Sequence, residues 1–293
     1  MKDPRFLSRY GVKVNTSLAE HTVIGLGGNA DFFLQVSDGN QLKLAARAAH
    51  ENGLKVCVIG RGTHTVFSSH GFRGLVIKNE IDDFEILNGV ATVGSGLALT
   101  QVIHRLAEES CGGFEELADS PRSIGGAVSR NTRVGKTSVE DHLTQVSLYS
   151  KGRVLTVQAQ DMAFEPNSSR VQYGDEYVLS ASFRVRKEPR EDINKRILGA
   201  TQLRLRNRPG ASRAIRVFAD LDGQTASELA RQVGMAGERV GGAVISTKDP
   251  NYIINEGAAT PEDIYELAQR IKNRVSLKTH EKLREAITWA GEW

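Results

Sequence analysis

Three glycine-rich clusters hold the residues best suited to chemistry. The first, Gly60-Arg61-Gly62-Thr63-His64, follows the apolar run Val56-Cys57-Val58-Ile59. Glycines at a strand end let the backbone turn tightly and leave peptide N–H groups open, an arrangement that holds a pyrophosphate. No Gly-Lys-Ser/Thr follows, so this is not a P-loop, and a Gly-x-Gly alone equally marks an ordinary turn. The second, Pro121-Arg122-Ser123-Ile124-Gly125-Gly126-Ala127, places two glycines between apolar residues. Such a pair admits a planar ligand or another backbone, or forms a β-bulge or packing contact. The third joins Arg239-Val240-Gly241-Gly242-Ala243 to Asp249-Pro250-Asn251-Tyr252. Asn251 and Tyr252 can hydrogen-bond a polar ligand or hold a turn.

Other chemistries lack their signatures. The 7 histidines and the carboxylates give no His-Glu-x-x-His or paired-ligand spacing for a metal. No Gly-x-Ser-x-Gly marks a hydrolase elbow. Cys57 and Cys111 form no Cys-x-x-Cys and cannot build a disulfide framework. The basic run with Arg196, Arg204, Arg206 and Arg208 reads as a solvated helix face or as a contact for anionic phosphates.

The elements that would position these clusters are short and mixed. Gln41–Asn52 reads as an amphipathic helix ending at Gly53, followed by the strand Val56–Ile59, the glycine turn and the strand Gly74–Ile77. Phe84–Ile86 with Ala91–Val93, and Val146–Tyr149 with Val154–Val157, read as strand pairs across Asn88-Gly89 and Lys151-Gly152. A helix over Leu99–Ser110 and a strand over Val178–Val185 complete this part. Glu188–Asp192, with Pro189, reads as a linker. Helices follow at Ile193–Arg206, Ala226–Val233 and Pro261–Leu277, with Asn251–Asn255 as a strand between the last two. The pattern gives three small α+β lobes with boundaries near residues 79 and 188.

Composition bounds the class. At roughly 150 residues per domain, 293 residues suggest about two domains or three small ones. Lys and Arg total 38 against 35 Asp and Glu, a net charge of +3, which argues against a nucleic-acid partner. No apolar run reaches the roughly 18 residues of a membrane span, and no signal core follows the N-terminus. The expectation is a cytoplasmic chain.

Taken in order, these segments resemble the MurB family, the flavin-dependent UDP-N-acetylenolpyruvoylglucosamine reductases. Asn15-Thr16-Ser17 with Ile24–Ala30 is similar to the family's N-T-x…I-G-G-x-A opening. Gly71-Phe72-Arg73-Gly74-Leu75-Val76-Ile77 is similar to its G-F-x-G-L-V-I. Phe114-Glu115-Glu116-Leu117 through Ala127 resembles G-x-E-x-L-x-G-I-P-G-x-V-G-G-A, and Gly241–Asn255 resembles G-G-A-x-V-S-x-x-H-x-N-F-I-x-N. The resemblance covers nearly the whole chain. It implies an α+β, three-lobed fold with vanillyl-alcohol-oxidase-type lobes for FAD. These are residues 1–79, with 276–293 packing back on them, and 80–188; a substrate-binding lobe spans 189–275. It implies FAD contacts at Gly60, Arg61, Gly62, Thr63, His64, Pro121, Ser123, Ile124, Gly125, Gly126 and Ala127, and substrate contacts at Asn251 and Tyr252. NADPH would reduce the flavin, and the enolpyruvyl group of a UDP-sugar would receive the hydride.

The departures fall on the family's chemistry. Asn167 in Phe164-Glu165-Pro166-Asn167-Ser168-Ser169 stands where F-x-Y-R-x-S carries an arginine. Arg216 in Ile215-Arg216-Val217-Phe218 stands on the serine of G-S-x-F, which the resemblance implies is the group that protonates the enolate. His280, with Glu281 beside it, stands on the acid of L-x-x-E. In the flavin motifs, Arg122 replaces a glycine and Asn131-Thr132-Arg133-Val134 replaces N-A-G-A. The resemblance with these changes implies a reductase with lost or impaired catalysis; the alternative is an inactive paralogue binding a UDP-sugar or cell-wall proteins.

Overall fold

The computed structural model describes residues 11–293, apart from residue 173 and the side chains of residues 119, 203, 204 and 207. The chain forms two compact units from interleaved segments. One holds residues up to Lys13, Phe32–Arg61 and Gly74–Arg206; the other holds Val14–Asp31, Gly62–Arg73 and Asn207–Trp293. No single point in the sequence therefore separates them.

In the first unit, Asp38 caps the helix Gly39–Glu51 by accepting from Asn40 N at 2.8 Å and Gln41 N at 2.9 Å. Its small apolar stripe, Leu42, Ala45, Ala46 and Ala49, is wholly buried. It shares a core with Leu75 and Ile77 of the strand Phe72–Asn79. That strand pairs in parallel with Val56–Ile59, register Val56↔Leu75 to Ile59↔Lys78. A second sheet is antiparallel throughout, in the order Arg153–Gln158, Leu143–Ser150, Glu176–Arg184, Val90–Gly94, Phe84–Leu87. Its tight turns use Asn88 (φ 49°) with Gly89 (76°) and Lys151 (46°) with Gly152 (82°). Two successive left-handed residues match the twist of a hairpin. The helix Leu99–Glu108 lays Leu99, Val102, Ile103, Leu106 and Ala107 into the core that also holds Phe114 and Phe183.

Close backbone packing joins the end of the parallel strand to this sheet. A Cβ on Gly96 would lie 2.4 Å from Ile81 N, and one on Gly94 would lie 2.6 Å from Ile81 O. The buried pair Asn79 and Ser95 lock the contact through Nδ2→Oγ at 2.7 Å, while Ile81 N donates to Asn79 Oδ1 at 3.0 Å.

In the second unit, an antiparallel sheet runs in the order Ala214–Arg216, Tyr252–Asn255, Ala243–Ile245, Arg239–Val240. Ile215, Ile245 and Ile253 enter a core with the helices Ala226–Gln232 and Pro261–Thr279. Capping boxes open both helices, Thr225 with Glu228 and Thr260 with Asp263. Gly241 and Gly242 pack against Asp263 and the backbone at Ala258. A parallel pair, Thr65–Phe67 with Thr288–Ala290, closes the unit.

Two expectations shift. Arg190–Asn207 is helical from Arg190, so the segment read as a linker supplies the first turn. Ile124–Ser129 is a helix, not a bulge, because Ser123 caps it by accepting from Gly126 N at 3.3 Å.

Gly96→Ala is expected to destabilise the chain by about 1–3 kcal/mol, because the clash is with backbone. Gly199→Ala, in a helix with nothing within 4 Å of the new Cβ, is expected to stabilise by about 0.5–1 kcal/mol. Urea unfolding midpoints of the two variants check both signs.

Candidate functional site

The glycine turn begins where the Val56–Ile59 strand ends. Gly60 touches the Ser123 side chain so closely that a Cβ would lie 2.2 Å from Oγ. The turn and the glycine-pair helix are thus in direct contact. Gly125 is anchored on Ser95 by its N–H to Ser95 O at 2.8 Å, and Ile124 N donates to Leu97 O at 2.8 Å. Ile124 and Ala127 are fully buried, and Pro121 and Arg122 are half-buried. Gly62 adopts φ 63°, and its carbonyl accepts from Val23 N at 3.0 Å. Among the described residues, nothing accepts the N–H groups of Arg61, Gly62 or Thr63. Thr63 Oγ1 lies 2.9 Å from His64 Nδ1. A glycine turn with several open peptide N–H groups fits the diphosphate of a dinucleotide. Arg133 is exposed, while Thr132 Oγ1 is buried with no partner among the described residues.

Asn167 sits at a bend. Glu165 N donates to Ser168 O and Ser168 N to Glu165 O, both at 3.1 Å. Pro166 and Asn167 fill the two central positions, with Asn167 at φ 61°. That is the pattern of a type II turn, with proline first and a left-handed residue second. The short amide suits the turn, and it brings no charge.

Glu115, from the stretch Phe114–Leu117, is 2 % exposed. It accepts from Gly113 N at 2.8 Å and pairs with Arg196 at 3.3 Å. Arg196 also meets Glu188 at 2.5 Å. Hydrogen bonds donated to Glu115 and Glu188 push the guanidinium pKa up, so this arginine of the basic helix is engaged by carboxylates. The Arg204 side chain lies outside the described residues; Arg206 is exposed and Arg208 half-buried.

In the second unit, Asn251 is fully buried. Its Oδ1 accepts from Phe218 N and its Nδ2 donates to Phe218 O, each at 2.9 Å. The side chain holds the turn, as one of the two sequence readings allowed. Next to it Tyr252 pairs across the sheet with Arg216. Arg216 Nη2 lies 2.6 Å from Asp220 Oδ2. Burial works against its charge, but Asp220 together with Tyr252 and Asp249 raises its pKa. His280 is exposed at φ 62°, ending the long helix, and Glu281 is exposed beside it. A further carboxylate, Glu285, stands at this end of the sheet. Glu285 forms an isolated bridge with Phe218, and its side chain takes Lys272 Nζ and Trp289 Nε1, both at 3.0 Å. The signal available was a second leucine, Leu283, two residues before it.

Residues 30–158 match the family model described as an FAD binding domain. Residues 203–290 match that of the UDP-N-acetylenolpyruvoylglucosamine reductase C-terminal domain. The chain is 30% identical over 285 residues to the UDP-N-acetylenolpyruvoylglucosamine reductase of Halalkalibacterium halodurans, covering 96% of this chain and 95% of that protein. It is 31% identical over 282 residues to that of Carboxydothermus hydrogenoformans, covering 95% and 93%. The chain belongs to the MurB family.

The MurB fold is evident in a solved relative. The UDP-N-acetylenolpyruvylglucosamine reductase of Thermus caldophilus superposes with a TM-score of 0.81 at 24% identity, covering 96% of this chain and 100% of that one. An FAD site accords with the MurB assignment and with the open N–H groups of the glycine turn. No described helix is long and apolar enough to cross a membrane.

Asn251→Ala is expected to cost about 2–4 kcal/mol, because it strands a buried N–H and a buried C=O of Phe218. Chemical denaturation at constant m-value checks it.

Proposed function

We propose that the chain is an FAD-dependent, NADPH-reduced enzyme of the MurB reaction, converting UDP-GlcNAc-enolpyruvate to UDP-MurNAc in cytoplasmic peptidoglycan synthesis, with its reduction step impaired. The supporting observation is Arg216, tied to Asp220 at 2.6 Å on the position that carries the family's proton-donating serine. A guanidinium stays protonated near neutral pH and gives up no proton. Asn167 adds to the loss, because a neutral amide cannot hold a carboxylate or a developing enolate as a bidentate arginine does. When bound, the flavin supplies the hydride chemistry. The open peptide N–H groups of residues 61–63 would hold its diphosphate, and Gly60 at the start of the turn packs against Ser123. Asn251 and the strand Tyr252–Asn255 position the substrate-facing residues. The simultaneous change at 167 and 216 also favours a second reading, an inactive paralogue that binds a UDP-sugar or a cell-wall protein.

Loss of one transition-state group commonly costs about 10²–10⁴ in rate. The purified chain is expected to show flavin absorption that NADPH bleaches, with turnover of UDP-GlcNAc-enolpyruvate at least about 10²-fold below that of Asn167→Arg/Arg216→Ser. Arginine at the left-handed position costs roughly 1 kcal/mol, which the fold tolerates. Equal rates in the two proteins would refute the impairment. A colourless protein that FAD cannot load would turn the assignment to the binding module.

A further inference from the structure

We propose that the proton-donating hydroxyl has moved one strand across, from position 216 to Tyr252. This rests on the reductase reading above, and it supplies the residual proton transfer that an impaired reduction step still needs. The family pattern N-F-I places a phenylalanine where this chain has Tyr252, and the pattern G-S-x-F places a serine where it has Arg216. A hydroxyl is lost on one strand and gained on the next. The two positions are direct partners in the antiparallel ladder, Arg216↔Tyr252. Directly opposed residues project from the same face with Cβ atoms about 4.5–5.5 Å apart. A hydroxyl carried at either position therefore serves the same side of the sheet.

The pair lies on the face turned away from the core. The neighbouring pair, Ile215↔Ile253, is 1% and 0% exposed and points into the core. Strand alternation turns Arg216 and Tyr252 to the opposite face, where both are half-buried. The backbone of Tyr252 is pinned on both sides, its N–H donating to Asp249 O and its carbonyl accepting from Ser246 N, each at 2.9 Å. The buried Asn251 fixes the preceding residue on Phe218. The backbone that carries the phenol is thus fixed in register, and a phenol is a stronger acid than an aliphatic alcohol.

The charges nearby close the step. Reduction of the enolpyruvyl double bond adds one hydride and one proton. The two electrons come from NADPH by way of the flavin. The phenol O–H bond breaks as the second C–H bond forms, and the phenolate left behind is within electrostatic reach of Arg216, its partner in the ladder. Asp220 and Asp249 are the acidic groups around that pair, and they keep Arg216 charged. Solvent then returns the proton. Arg216 is thus a positioning residue that compensates the phenolate, and Tyr252 is the acid.

The test separates binding from proton transfer. FAD-loaded protein is reduced with one equivalent of NADPH and mixed with UDP-GlcNAc-enolpyruvate in a stopped-flow instrument; calorimetry gives the affinity of the oxidised protein for the same compound. Tyr252→Phe is expected to bind it within about threefold of the unaltered chain and to be reduced by NADPH at the same rate. Its reoxidation by the enolpyruvyl compound is expected to slow at least about 10²-fold. Arg216→Ser/Tyr252→Phe, which restores the family's pair, is expected to regain at least about tenfold over Tyr252→Phe. Unchanged reoxidation in Tyr252→Phe overturns the assignment, and so does loss of affinity in step with the rate, which marks a structural role. If the unaltered chain takes up no FAD, or is not reoxidised by the enolpyruvyl compound, the reductase reading itself fails and the assignment of Tyr252 falls with it.

Discussion

The candidate substrate-facing sheet hangs on one buried amide. Asn251 has no exposed surface and uses both ends of its side chain on the backbone of Phe218. In effect it continues the ladder one residue past the last strand pair. Its own carbonyl takes Val217 N at 2.9 Å. That clamp fixes which residue faces which, and a slip of Ala214–Arg216 by one position would send Arg216 to the core side and bring Ile215 out. The chemistry of this face is therefore set by a residue that does none of it. Glu285 reaches the same strand end through its bridge to Phe218, so three segments distant in sequence converge on one backbone position.

The first unit solves a different problem, bringing two chain segments closer than side chains allow. Gly94, Gly96 and Gly125 surround Ser95, and each lacks room for a Cβ without displacing a neighbour. The Asn79–Ser95 bond fills what would otherwise be a polar gap inside that packing. Gly60 against Ser123 repeats the device at the glycine turn. Much of the glycine enrichment in this unit thus serves contact within the chain, while the open N–H groups of the turn are left for a ligand.

Much of this was legible beforehand, for physical reasons. Strand pairs across Asn88-Gly89 and Lys151-Gly152 were readable because hairpin turns demand left-handed residues. The motif order identified the family, and the comparisons agree. What could not be read were features fixed by distant partners. Ile124–Ser129 carries two glycines and β-branched neighbours, a poor helical composition; the Ser123 cap decides it. Asn251 could face a ligand or a backbone, and only the position of Phe218 distinguishes them. Asn167 looked like the loss of an arginine, and the turn around it shows a second demand, since φ 61° favours asparagine after Pro166. Glu285 escaped because its partner, Phe218, is 67 residues away in sequence.

The parallel pairing of Thr65–Phe67 with Thr288–Ala290 has a consequence for biosynthesis. Ser68 N donates to Ala290 O at 3.0 Å, and Thr288 N to His64 O at 2.8 Å. Strands this far apart in the chain meet only after the later one has left the ribosome. At about 5–20 residues per second, the glycine turn waits roughly ten seconds or more for the strand that borders it. During translation the segment 62–73 has no permanent neighbour on that edge, so the glycine turn is completed only after residues 288–290 have been made.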